Sequence, residues 1–90
     1  MTLLITYDIA DTKRRNKIAT LLEGYGVRVN YSVFEIRIEP ARLRILESRL
    51  VALAGKYDSI RIYRFSRETA RQSYELLRGP MPFKTTSGFV

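Results

Sequence analysis

The residues best suited to chemistry sit close together near the start of the chain: Asp8 and Asp11, then the block Lys13, Arg14, Arg15 and Lys17. A carboxylate beside a run of cations suits work on phosphates. The carboxylate can help hold a hard metal ion, and the cations can meet phosphate oxygens. The sequence contains no His and no Cys. That excludes an imidazole base, a Ser-His-Asp triad, a thiolate nucleophile, a structural zinc site and a disulfide. Catalysis would have to come from carboxylates, hydroxyls, Tyr, Lys, Arg or a hard cation. One Asp is a poor magnesium site by itself, and a lone carboxylate is more often a solvated cap. Asp11 reads more strongly as a helix N-cap than as a ligand.

Counts along the chain agree with a phosphate-facing protein. Its 90 residues carry 16 Lys and Arg against 9 Asp and Glu, a net charge of +7, and the isoelectric point is near 10.1. Most of the cations are Arg, whose planar fork meets phosphate oxygens in pairs and stacks on bases. The competing reading is a solvated, Arg-rich surface of the kind found in thermostable proteins. Beyond the 13–17 block the charge is spread from Arg28 to Lys84, which describes a broad surface and not a disordered tail. A hydrophobic content of 46% supports one folded domain. The opening Met1–Asp8 segment has neither a basic leader nor an apolar run long enough to span a bilayer, so the expectation is a soluble cytoplasmic protein with no membrane partner.

Positioning these residues falls to a short set of elements. Leu3 to Tyr7 is an apolar, β-rich run expected to form a strand buried on both faces and ending at Asp8. Asp11 and Thr12 can cap a helix with Ile18, Leu21, Leu22 and Tyr25 on one face, stopped by Gly24 and Gly26. Val27–Tyr31 and Val33–Glu39 both alternate and read as a hairpin turning at residues 30–32. Pro40 opens a second helix with the stripe Leu43, Leu46, Leu50 and Leu53, and Ser59–Phe65 is a further alternating strand. The order βαββαβ predicts an α+β, ferredoxin-like split sheet with both helices on one face and the other face open. Residues 1–65 form that core. Residues 66–90 are an extension expected to take part in dimerisation, containing either a helix capped by Ser66 or a short strand at 74–77 or 82–90.

An open sheet face changes the prospects of Asp8. If two copies pack through it, a two-fold axis can bring together two Asp8 carboxylates, enough to help hold one divalent ion that polarises a phosphodiester.

The sequence resembles the CRISPR-associated Cas-two family in three segments. They are Tyr7-Asp8-Ile9-Ala10-Asp11-Thr12-Lys13-Arg14-Arg15-Asn16-Lys17, Gly26 through Glu35 with its Ser32-Val33-Phe34 triplet, and Asp58-Ser59-Ile60-Arg61-Ile62-Tyr63. They keep the family's order and spacing over about the first 65 residues. The resemblance implies a homodimer with one Mg²⁺ or Mn²⁺ per dimer, held by Asp8 of each copy. It implies Tyr7 and Asp8 at the catalytic position, nucleic-acid contacts from Arg14, Arg15, Lys17 and Arg28, and Ser32 and Phe34 near the dimer centre. Each also has a plain structural role: Tyr7 and Phe34 as packing, Ser32 as a turn residue, Arg28 as a solvated strand position.

For function, the resemblance implies spacer acquisition with the Cas-one integrase. The chain would either cleave single-stranded RNA or double-stranded DNA as a metal-dependent endonuclease, or serve as a non-catalytic nucleic-acid adaptor. A toxin-like ribonuclease of the same fold is a third option.

Overall fold

The structure is a computed structural model and describes residues 1–80. The element order is β1 (Thr2–Asp8), α1 (Thr12–Glu23), β2 (Val27–Asn30), β3 (Val33–Arg37), α2 (Pro40–Leu53), β4 (Ser59–Phe65), α3 (Arg67–Gln72), β5 (Tyr74–Glu75) and β6 (Gly79–Pro80). The four longer strands make one antiparallel sheet in the order β2-β3-β1-β4, the ferredoxin-like arrangement. Both C-terminal expectations at 66–77 are present in shortened form: Ser66 caps α3 by accepting the Thr69 N–H at 3.0 Å, and β5 follows. The candidate strand at 82–90 lies outside the described residues.

Local chemistry explains the boundaries. The Asp11 carboxylate accepts the Arg14 N–H at 2.9 Å and starts α1, and Pro40 occupies the first turn of α2. Gly26 is required for space, because a Cβ there would collide with the Glu35 carbonyl oxygen. That contact lets the chain leaving α1 run directly against β3.

The core lies between the sheet and the helices. Leu3, Ile5, Phe34 and Ile36 meet Ile18, Leu22 and Leu46, and all are fully buried. Each such side chain contributes roughly 1.5–3 kcal/mol relative to exposure. The Leu stripe of α2 is buried at Leu43, Leu46 and Leu50, with Leu53 packed at its edge.

Two local expectations change. β1 is buried on one face only: Leu3, Ile5 and Tyr7 face the helices, whereas Thr2, Leu4 and Thr6 are half-buried on the open face. An unbroken apolar run resembles a doubly covered strand even when one of its faces is uncovered. The alternation of β2 is also interrupted. Arg28 lies opposite Phe34 and Asn30 opposite Val33, so Val29 is an extra residue in the ladder and is exposed. Such a bulge re-aims the side chains beside it.

Candidate functional site

Asp8 ends β1 opposite Ser59 of β4. By strand alternation it shares the open face with Thr6 and Leu4. Its side chain is exposed, and among the described residues it has no hydrogen-bond or ion-pair partner. No group of three His, Cys, Asp or Glu residues there could hold a metal. The donor chemistry suits a hard cation, but one chain provides a single carboxylate at this position.

Tyr7 points to the helix side. Its ring stacks on Phe34 with centroids 6.3 Å apart, and its hydroxyl donates to the Tyr31 carbonyl at 3.3 Å. Burial raises the phenol's pKa, with Arg28 acting in the opposite sense. A buried phenol that already donates its proton is a positioning group for the neighbouring turn. It is poorly placed to act as a base.

The turn between β2 and β3 borders the end of β1, because the Tyr7 N–H donates to the Ser32 carbonyl at 3.1 Å. The Arg28 guanidinium donates to the Tyr31 carbonyl through Nε at 3.2 Å and Nη2 at 2.6 Å. It also lies 5.7 Å from the ring centroids of both Tyr31 and Phe34. Arg15 folds back over the β1–α1 loop, donating to the Ile9 and Ala10 carbonyls at 3.1 and 3.3 Å, and its guanidinium is 5.5 Å from the Tyr31 ring. The structure therefore gathers Tyr7, Arg15, Arg28, Ser32 and Tyr31 at the end of the sheet where Asp8 stands, with Asp8 on the opposite side of the sheet plane.

Arg14 and Phe34 are more engaged in the fold than expected, whereas Lys17 stays exposed. Arg14 is engaged with Asp58: Nε donates to Oδ2 at 2.9 Å and Nη2 to Oδ1 at 3.1 Å. That bidentate pair ties α1 to the α2–β4 loop and commits the Nε–Nη2 edge of the fork to the fold. Phe34 is fully buried in the core of the single chain, so any support it gives a dimer centre passes through β3. Within the Ser32-Val33-Phe34 triplet, Val33 is the residue that faces the open side, opposite Thr6. Lys17 is exposed on α1, where it borders a shallow groove with Lys13, Asn16, Thr20 and Leu53.

Sequence reasoning missed Tyr31 and Asp58. A large aromatic in a turn, three residues after an Arg, was an available signal for the first. The Gly55-to-Asp58 spacing was one for the second: Asp58 accepts the Gly55 N–H at 2.7 Å, and a Cβ at Gly55 would come within 2.7 Å of the Arg14 guanidinium.

Residues 1–73 match the family described as CRISPR associated protein Cas2. A relative named CRISPR-associated endoribonuclease Cas2 3, from Synechocystis sp., is 46% identical over 70 residues, covering 77% of this chain and 76% of that protein. CRISPR-associated endoribonuclease Cas2 1 of Chloroflexus aurantiacus is 44% identical over 81 residues, 88% of this chain and 87% of its own length. Among solved structures, Streptococcus pyogenes Cas2 superposes with a TM-score of 0.74 at 36% identity, covering 84% of this chain and 99% of that one. A chain from a partial Cas6-RT-Cas1–Cas2 complex superposes at 0.77 with 32% identity, covering 90% of this chain and 96% of that one.

Proposed function

The chain belongs to the CRISPR-associated Cas2 family, and from that premise we propose that it acts in CRISPR adaptation as a homodimer that binds nucleic acid and hydrolyses phosphodiesters. The single observation that carries the nuclease reading is Asp8, an exposed carboxylate with no partner among the described residues, at the same end of the sheet as Arg15 and Arg28 though across the sheet plane from them. Among the described residues one chain brings a single carboxylate to this position. Two copies packed through the open face would offer Asp8 from each, and one Mg²⁺ or Mn²⁺ per dimer would supply charge neutralisation and an activated water. The arginines at that end bind and orient the phosphate backbone.

The open face supports a second copy as its occupant. Leu4, Val33 and Phe65 are half-buried there and Tyr63 is exposed, leaving an apolar patch beside Glu35 that neither α1 nor α2 covers. The names of the relatives favour an endoribonuclease. A second reading, a non-catalytic adaptor for a Cas1 partner, is favoured by the similarity to a Cas2 chain from a complex that includes Cas1.

Cleavage of labelled single-stranded RNA and double-stranded DNA, with magnesium, manganese or chelator, separates the two readings when run on dimer identified by light scattering. Metal-dependent cleavage that Asp8→Asn abolishes is the expected result. Absence of cleavage on every substrate would leave the adaptor reading, and cleavage persisting in Asp8→Asn would place the chemistry elsewhere.

A further inference from the structure

We propose that the Tyr31 ring is a stacking platform for one unpaired nucleobase, flanked by Arg15 and Arg28 as contacts for the adjoining phosphates. The proposal rests on the nucleic-acid reading above and adds to it the strand form that is read.

Tyr31 is 62% exposed, which alone would mean little, since single exposed aromatics are common. Its surroundings are what set it apart. The carbonyl accepts from the Tyr7 hydroxyl and twice from Arg28, and the N–H donates to Asn30 Oδ1 at 2.7 Å. Bonds at both backbone groups fix the direction in which the side chain leaves the turn, and the guanidinium groups over the ring restrict it further, which lowers the ordering cost of binding. Two guanidinium groups lie over the ring, Arg15 at 5.5 Å and Arg28 at 5.7 Å from its centroid, so the base stacks on the part of the ring that its exposure leaves open. By contrast Tyr57, the most exposed aromatic among the described residues at 90%, has only the Lys56 ammonium near its ring, at 5.6 Å.

An exposed, immobilised aromatic beside paired cations is the combination that captures single strands: the base stacks on the ring and the backbone lies against the positive charge. Inside a duplex the bases are stacked on one another and only the two terminal pairs offer a face to Tyr31, although the phosphates along its length can still reach the arginines. The Val29 bulge and the Tyr7 hydroxyl thus acquire a role in aiming this turn at the end of β1, one residue before Asp8.

The test compares wild type, Tyr31→Leu and Tyr31→Phe in fluorescence anisotropy. The probes are a short single-stranded RNA and a blunt duplex of the same sequence, in low salt with chelator to prevent cleavage. Tyr31→Leu should lose about tenfold or more in affinity for the single strand and keep its affinity for the duplex. Tyr31→Phe should bind both within about twofold of wild type, because it retains a stacking ring. A 2-aminopurine placed in the single strand should be quenched by wild type and Tyr31→Phe. Absence of that quenching overturns the proposal even if Tyr31→Leu folds poorly. Equal losses on both probes would make the ring a mere support for the arginines, and no loss on either would make it inert; each result overturns the proposal. Wild type binding the duplex but not the single strand also overturns it while leaving the nucleic-acid reading intact. Wild type binding neither probe removes both.

Discussion

Asp58 and Asp8 are almost neighbours across the β1–β4 ladder, since Asp8 lies opposite Ser59, yet their surroundings are opposite. The Asp58 side chain is 4% exposed and takes two bonds from Arg14 and one from the Gly55 N–H. Asp8 is exposed and has no partner among the described residues. The same functional group is a structural fastening in one case and an open acceptor in the other. An ionised carboxylate has about four lone-pair sites. Asp58 has already committed most of them within the fold, whereas Asp8 retains them for a species outside the chain. Arg14 and Arg15 do not repeat the contrast: one is locked to Asp58, and the other is tied to the Ile9 and Ala10 carbonyls and the Thr12 hydroxyl while its guanidinium lies over the Tyr31 ring.

The largest expected effect follows from that difference. Asp58→Ala strands the Gly55 N–H and an Arg14 fork that its fold had positioned, and the midpoint of thermal unfolding should fall by several degrees. Asp8→Asn, at a site without internal contacts, should leave the midpoint unchanged within the error of a circular-dichroism melt. Equal falls in the two variants would break the comparison, because Asp8 would then have a structural role that its exposure does not suggest.

The next effect concerns acid. Asp58 is held below its ordinary pKa of 3.8, first by the Arg14 hydrogen bond and then by the Gly55 N–H. Its folded-state pKa therefore lies under its unfolded value, so its contribution to stability is complete above pH 3.8 and is lost as pH falls through the folded-state value. Chemical denaturation along a pH series should show wild type and Asp58→Ala separated at neutral pH and converging below about pH 3.8. A constant separation down to the lowest pH would mean that packing, and not charge, gives Asp58 its importance.

The Asp8 half of this contrast was readable in sequence and the Asp58 half was not. The order of elements through β4, the Asp11 cap, Pro40 and the Leu43, Leu46 and Leu50 stripe depend on neighbours within one or two turns, where local periodicity is informative. The Arg14–Asp58 pair joins positions 44 residues apart, and no local pattern selects one Arg of a basic block for it. Val29 was hidden because a bulge leaves an alternating sequence looking regular until its partner strand is known. Phe34 carried a family resemblance and a core periodicity together. The ladder decides its direction, since Phe34 lies opposite the buried Ile5. That the turn carrying Tyr31 borders the end of β1 depends on the Tyr7–Ser32 backbone bond, another long-range fact.

Glu35 sharpens the comparison with the smallest expected effect. It is a third carboxylate, half-buried on the open face opposite Leu4 of β1 and Val27 of β2, and burial raises its pKa above the ordinary 4.5. Unlike Asp58 it gains no compensating donor among the described residues, and unlike Asp8 it is partly removed from water. The sign is therefore reversed. The folded state holds this proton more tightly than the unfolded chain, so stability from Glu35 is full below pH 4.5 and declines as pH rises through the folded-state value. Glu35→Gln removes the charged form and should raise the unfolding midpoint slightly at neutral pH, by no more than a few degrees, with no gain below pH 4.5. A lowered midpoint at neutral pH would show that the carboxylate meets a cation in the assembled protein. Because Glu35 lies on the face assigned to a second copy, that outcome would identify it as an intersubunit ion pair and join it to Asp58 as a fastening group.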